Sequence, residues 1–470
     1  MDKEVAFEID QYVDAHKDEI LADLARLVRI PSVSKPGGGA PAPFGEDCAR
    51  VLAEAVAMAA EKGMDAKNYD NWYALAVRGT GAHTIGIFSH LDVVEAGSGW
   101  TFPPFEMTEK DGWLFGRGVA DDKIAAVMGM HTAKALDTLG LAPHLQLLLF
   151  LGVNEENGML DIDRYLQEHE QPEFNLVPDF KFPGSIGETG VIKFKLHTQR
   201  RFACLTGFRG GEAGKRLPLN ASASYTGVEG GKLFAAAEAQ NGIALSGEGG
   251  VVHVTAEGRP DSSWGAQDSV NALFALASFL SENDALPDGD RSLLGVIAEM
   301  TGASKGECFA INRESPLFGA TKCTCTLAEE TDSSLTFHFD VRYPFEITGE
   351  EIQTRISAFC AQHGFELSGF QDTKPWLLNG EDPRLDILCA CWKDVSGRDE
   401  KMGVGGGTYA RKLKNAVSYG PKDFSKCPFI PKGHGEIHSP DETRSVETVL
   451  NAVKVYIRAF VELDAYYGAM

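Results

Sequence analysis

The sequence predicts an α/β fold, a mostly parallel mixed sheet flanked by helices and interrupted by an inserted α+β domain. Three observations lead there. Short apolar segments alternate with helical patterns over residues 1 to 187. From 188 to 385 the texture changes: "VIKFKLHT", "GVVHVTAEG", "TKCTCTLAEE" and "SLTFHFDVRYPF" read as strands paired through turns, with helices between them. From 386 to 470 the mixed pattern resumes. At 470 residues and 43% hydrophobic, the chain can bury a core in each part.

The first element is an amphipathic helix between about 10 and 30, in which Ile9, Val13, Ile20, Leu24 and Leu27 share a face. The Pro/Gly-rich stretch "PSVSKPGGGAPAPFG" then forms a loop. A second helix runs from about 46 to 62 and closes at Gly63. Strands "YALAV" and "TIGIF" follow, and "LQLLLFLGV" at 145 to 153 is a third. Between them lies a helix beginning near Asp122, with Ile124, Val127, Met128 and His131 at helical spacing and Gly140 beyond its end. The last helix is expected from 439 to about 464, with Ser439 as cap, Pro440 in the first helical place and Glu442 three residues after the cap.

Composition narrows the function. Lys plus Arg number 44 against 67 Asp plus Glu, a net charge of −23 with no basic run, which argues against nucleic acid or an anionic membrane as partner. The start, "MDKEVAFEIDQYVDAHKDEI", lacks the basic and apolar segments of a secretory signal, and the stretch at 145 to 153 is too short to span a bilayer. Nine cysteines without a CxxC pair fit reduced thiols in the cytoplasm. The pairs Cys323/Cys325 and Cys389/Cys391 are each expected to share one face of a strand.

The stretch "IGIFSHLDVV", 85 to 94, ends an apolar strand on His90 and Asp92. Alternate strand residues share a face, so the two point the same way, about 6.6 Å apart. Open α/β sheets hold their ligands at this end of their strands. An imidazole there can bind a cation while a nearby carboxylate orients it; a solvated strand end reads the same. In "GRGVADDK" Asp121 and Asp122 fall between a glycine-bearing turn and a helix start, where capping is the alternative to function. Glu155 and Glu156 end another strand in "FLGVNEENG", and adjacent carboxylates there need either water or a cation. Asp179 in "LVPDFKFPG" and His438 in "GHGEIHSPDE" complete the set. Each alone has a structural reading; together they are the ligands expected of two divalent ions.

In order and spacing, "SHLDVV", "GRGVADDK", "NEENG", "VPDFKFP" and "HSPDE" resemble the signature of the co-catalytic di-zinc metallopeptidases. That family includes carboxypeptidase G, acetylornithine and succinyl-diaminopimelate deacylases, carnosinases and PepV-type dipeptidases. The resemblance spans the chain, and its length, large insert and "FDVRYPF" look most like the PepV branch. It implies a catalytic domain in two parts, 1–187 and 386–470, with 188–385 as an inserted lid. It also implies two divalent ions per subunit, zinc or else manganese or cobalt, with His90 and Asp179 on one, Glu156 and His438 on the other and Asp121 bridging. Asp92 would brace His90, and Glu155 would be the general base. In the lid, the best match to a histidine that polarises the scissile carbonyl is His253, and Arg342 resembles an arginine that pairs with a substrate carboxylate. The glycine-rich "MGVGGGTYAR", containing Gly406 and Thr408, could cradle that carboxylate through backbone N–H groups or serve as a flexible connection.

The implied reaction is metal-dependent hydrolysis of the peptide bond of dipeptides or small peptides. An N-acyl amino acid deacylase would use the same centre. A non-catalytic homologue that binds peptide or metal is a rival of another class, against which Glu155 speaks. The insert of roughly two hundred residues favours a monomer over a lid-mediated dimer. The chain also departs from the pattern. Ile124 stands where a glycine usually follows "DDK", Arg216 or Leu217 falls near a substrate-binding asparagine, and "HVT" replaces His-Ala-Ser.

Overall fold

The computed structural model describes residues 1–211, 217–226, 234, 237, 240–259, 269–331, 334–422, 427–431 and 433–469; Arg216 lies outside them. The chain forms two compact units, Met1–Glu188 with Leu377–Met470, and Thr189–Trp376. The return to the first unit comes at Leu377, ahead of the expected 386, because the helix Pro383–Ser396 already packs Leu385 and Leu388 into the first core.

In the first unit, α1 (Lys3–Ala15) and α2 (Lys17–Val28) replace the single helix expected there. They part at His16, whose Nδ1 lies 2.7 Å from Tyr12 O. Ile9, Val13, Ile20, Leu24 and Leu27 are all buried, so the apolar periodicity carries across a break that it cannot register. The elements that follow are α3 (Glu46–Glu61), β1 (Asp65–Tyr69), β2 (Tyr73–Arg78), β3 (His83–His90), β4 (Thr108–Lys110), β5 (Trp113–Phe115), α4 (Lys123–Thr138), β6 (Leu145–Gly152), α5 (Leu160–Glu168) and β7 (Phe174–Val177).

The main sheet has six strands in the order β1-β2-β6-β3-β7 and then Ala416–Ser418. From β6 onward the neighbours are parallel, whereas β1 and β2 join antiparallel at one edge. Covered faces explain why β3 and β6 are apolar at successive positions rather than alternating. Gly129 in α4 permits close approach of helix to sheet, since a Cβ there would stand 2.7 Å from Leu149 Cδ1.

Two local expectations fail. The terminal helix spans Val446–Gly468 and is capped by Ser445, which accepts from Thr448 N; Ser439 does not cap it. His438 and Asp441 have φ of 62° and 54°, outside the helical region, and Thr443–Ser445 instead pairs antiparallel with β5. The second concerns cysteines. Cys323 and Cys325 lie buried on the strand Lys322–Glu330, but Cys389 and Cys391 sit on the helix Pro383–Ser396, where an Asp382 cap and a proline in the first turn impose a different period.

The second unit holds an eight-stranded antiparallel sheet in the order Ile243–Glu248, Val251–Glu257, Asn220–Thr226, Leu205–Gly211, Lys322–Glu330, Leu335–Tyr343, Gly190–Thr198, Glu366–Thr373. It has its own core, including Leu273 and Leu276 of the helix Ala272–Ser281 and Ile352 and Ile356 of the helix Gly349–His363. Among the described residues no helix is long and apolar enough to cross a membrane.

Candidate metal centre

Parallel strands carry their carboxyl ends to one edge of a sheet. Here His90 at the end of β3 stands opposite Gly152 at the end of β6, and Ile87 stands opposite Leu176 in β7. The loops that leave these strands carry Asp92, Glu155 with Glu156, and Asp179. Loop 116–122, ahead of α4, brings Asp121, and His438 comes from the turn before Thr443–Ser445.

His90 is 1% exposed and donates from Nδ1 to the main-chain oxygen of Asp92 at 3.0 Å, which leaves Nε2 facing Asp121. The Asp92 carboxylate accepts the N–H groups of Glu155 and Glu156, each at 3.1 Å, so one residue orients the imidazole and holds the glutamate turn. Asp121 stands between two imidazoles: Oδ1 is 3.3 Å from His90 Nε2 and Oδ2 is 3.2 Å from His438 Nε2. Glu156 Oε1 is 2.9 Å from His438 Nε2. Asp179 Oδ1 lies 2.5 Å from Lys422 Nζ, which is also 3.0 Å from Asp121 Oδ1. All five expected ligands are thus brought into one cluster.

The donors suit divalent cations. His90, Asp121 and Glu156 offer one ligand atom each within 4.8 Å of one another, and so do His90, Asp122 and Asp179. His90 Nε2, both Asp122 oxygens and Glu155 Oε1 are buried without a hydrogen-bond partner. Buried carboxylates left in that state need a cation or a proton. Protonation tells the same story. Burial, with Asp179 nearby, pushes the Glu155 carboxyl well above the usual range and does the same to Asp122. Burial and Asp121 raise Asp179 to about 6, although Lys422 opposes them. Burial disfavours charge on His438, yet Asp121 and Glu156 outweigh it and lift the imidazole to about 10. The cluster collects protons where positive charge is wanted.

Several contributors left little trace in the sequence. The sequence marks Asp122 only as part of a helix start; it occupies the capping position without making the capping bond. Glu442 was assigned to helix capping, but its buried carboxylate accepts N–H groups of Gly118, Ala120 and Asp121 and pairs with Arg117. Asp161 does the same for the next loop, accepting from Val153 N, Asn154 N and the Tyr409 hydroxyl. A run of such acceptors in "HSPDE" offers a faint signal; a lone lysine at 422 offers none.

The substrate-side expectations fare unevenly. Thr408 is 2% exposed, and its hydroxyl donates to Glu188 and meets Ser418, so it anchors the glycine loop from inside rather than facing a ligand. Gly406, with φ of +109°, holds a backbone conformation that side chains with a Cβ rarely adopt, and a Cβ would stand a tight 3.2 Å from Glu188 Oε1. In the second unit, His253 is exposed beside Ser224 Oγ at 2.9 Å, and the Arg342 guanidinium donates to Asp340 at 2.9 and 3.3 Å.

Imidazoles and carboxylates converging on a sheet edge, with an unpartnered glutamate alongside, are the equipment of a metal-dependent hydrolase, and this chain is one. The sequence profile of peptidase family M20/M25/M40 matches residues 86–462, and the chain belongs to that family. It is 26% identical to the putative dipeptidase YtjP of Bacillus subtilis over 462 residues, covering 95% of this chain and 97% of that one. It is also 26% identical to the Beta-Ala-Xaa dipeptidase of Lactobacillus delbrueckii subsp. lactis, covering 96% and 97%. Human carnosine dipeptidase 1 shares the fold, with a TM-score of 0.58 at 16% identity over 98% of this chain and 100% of that one.

Proposed function

We propose that the protein is a dipeptidase that hydrolyses small unblocked peptides at a two-metal centre. The supporting observation is Asp121 set between His90 and His438, one oxygen toward each, with Glu155 next to Glu156 in the same turn and its Oε1 buried without a hydrogen bond. On this reading His90 and Asp179 would hold one divalent ion and Glu156 and His438 the other, with Asp121 placed to serve both. Zinc suits such ligands, and manganese and cobalt accept them too. When bound, the ions supply Lewis acidity that polarises the scissile carbonyl and acidifies water.

The chain's own groups do the rest. Glu155 takes a proton from the attacking water and returns it to the departing amine. Asp92 keeps the His90 ring and the Glu155–Glu156 turn in place through the contacts above. The backbone of the loop at Gly406, His253 and Arg342 are proposed to meet the substrate's carbonyl and carboxylate. The whole-length likeness to two dipeptidases favours free dipeptides over N-acyl amino acids as substrates. Nine free cysteines fit work in the cytoplasm, and a monomer is the assembly proposed.

Metal analysis of the purified protein, followed by a panel of dipeptides and N-acetyl amino acids with each candidate ion, tests this. Dipeptide turnover dependent on metal is the expected result. Cleavage of N-acetyl amino acids alone would replace the dipeptidase reading with the deacylase one, and metal binding without any turnover would leave only a binding protein.

A further inference from the structure

Lys422 lies on the two-residue strand Pro421–Lys422, which pairs in parallel with Phe180–Lys181 directly after Asp179. That pairing delivers its side chain, 12% exposed, into the carboxylate cluster. Its Nζ is 3.0 Å from Asp121 Oδ1 and 2.5 Å from Asp179 Oδ1. The same Asp121 oxygen is the one 3.3 Å from His90 Nε2. The ammonium therefore rests against the oxygens that a cation held by His90 and Asp179 would use.

We propose that Lys422 is a built-in competitor for the His90/Asp179 metal position: its ammonium neutralises Asp121 and Asp179 in the metal-free protein and must withdraw for that ion to bind. This rests on the reading of the cluster as a two-metal centre. Metal–oxygen bonds are about 2.0–2.2 Å long. An ammonium and a dication sharing two carboxylate oxygens would stand within about 4 Å of each other in a poorly screened interior, where like charges repel strongly. One of them has to leave. Lys422 also lines a cavity of about 1060 Å³, so the displaced side chain has space to turn into.

Two consequences follow. The two ions bind with unequal affinity, because only the His90/Asp179 position must expel a resident charge. The metal-free protein is protected from the mutual repulsion of its carboxylates, so the centre tolerates loss of metal better than its acid count suggests.

Calorimetric titration of metal-free wild type, Lys422→Met and Lys422→Arg with zinc and with manganese salts tests the proposal. The expected result is two unequal binding events in wild type. In K422M the weaker event should tighten by about 5- to 150-fold, the usual span of coupling between two ligands, whereas K422R should stay close to wild type. The metal-free K422M protein should also melt below wild type, with the difference closing on metal addition. Should K422M fail to fold, amine acylation of wild type followed by peptide mass spectrometry replaces it: Lys422 should label faster once metal is added. Unchanged affinities in K422M, or labelling that is unaffected or slowed by metal, would overturn the proposal while leaving the metal centre standing. No metal uptake by either wild type or K422M would instead overturn the reading of the centre itself.

Discussion

Glu442 and Asp121 are joined across 321 positions of sequence, the Glu442 carboxylate accepting the Asp121 N–H at 3.1 Å. The same oxygen accepts the N–H groups of Gly118 and Ala120, each at 3.0 Å, while the other oxygen pairs with buried Arg117. Glu442 therefore fixes the loop that aims Asp121 between the two imidazoles. Glu442→Ala leaves Arg117 without its counter-ion and should cost about 3–5 kcal/mol. It should also weaken divalent-ion affinity by about 10- to 100-fold, as lost outer supports of a metal site do. Thermal melts and metal titration measure both, and wild-type affinity in a folded variant would show that Asp121 needs no such anchor.

Glu155→Gln keeps the shape of the side chain and removes its basicity. Metal content should stay at the wild-type value while kcat falls by about 10²- to 10⁴-fold, the usual worth of a positioned acid–base group. Full turnover in this variant would remove Glu155 from the reaction.

Chelation should lower the melting temperature, because an ion that binds only the folded protein stabilises it by mass action, and Lys422 reaches Asp121 and Asp179 but leaves both Asp122 oxygens and Glu155 Oε1 without a partner. Ion restored at a hundred times its Kd should return about 2.7 kcal/mol. Equal melting temperatures with and without metal would contradict the ligand assignment.

Acid sensitivity should arise at a second charged cluster, where α2 meets α3 and α4. Burial raises the Asp23 carboxyl, but hydrogen bonds from His131 and Lys62 outweigh it and bring it from 3.8 to about 2. Glu19, paired with Lys134 and Lys62, likewise falls to about 2. Both are held below their unfolded values, so between those values the unfolded chain binds more protons. Their stabilisation is in place above about pH 4.5 and is lost as pH falls toward 2. Asp23→Asn should flatten the melting temperature's dependence on pH in that window; an unchanged slope would place the acid transition elsewhere.

Glu188 is wholly buried, with its carboxylate bonded to Thr408 and to both Nε and Nη2 of Arg411. Removing the guanidinium in Arg411→Met should cost about 3–5 kcal/mol and loosen the glycine loop. Hydrogen exchange at residues 403 to 407 should rise; protection unchanged from wild type would show that the loop holds itself.

Four of the five proposed ligands were legible because each adjoins a feature that sequence displays; His438 stands before a cap pattern at Ser439 that the fold does not use. His90, Glu155 with Glu156, and Asp179 end apolar runs, and Asp121 precedes a helix of clear periodicity. Strands such as Tyr73–Arg78, His83–His90 and Leu335–Tyr343 were legible for the same reason, since apolar runs record which faces are covered; the more exposed Asp65–Tyr69, Ile243–Glu248 and Glu366–Thr373 carry no such record. Boundaries were less so. The break at His16 preserves the apolar stripe on both sides, and the cap at Ser445 competes with an equally convincing pattern at Ser439.

What the sequence by itself determined is the fold class, the more apolar of the elements, the order of the chemical groups and the family. Those depend on local periodicity and on motif spacing, both of which survive in one dimension. Only the tertiary structure decided which acids cluster together and which instead bind backbone N–H groups. Glu442 and Asp161 turned out to bind backbone N–H groups, Thr408 to face inward, and Lys422 to lie among the carboxylates. Each of those roles is set by partners tens to hundreds of residues away or by the exclusion of water, and a side chain carries no mark of either until the chain has folded around it.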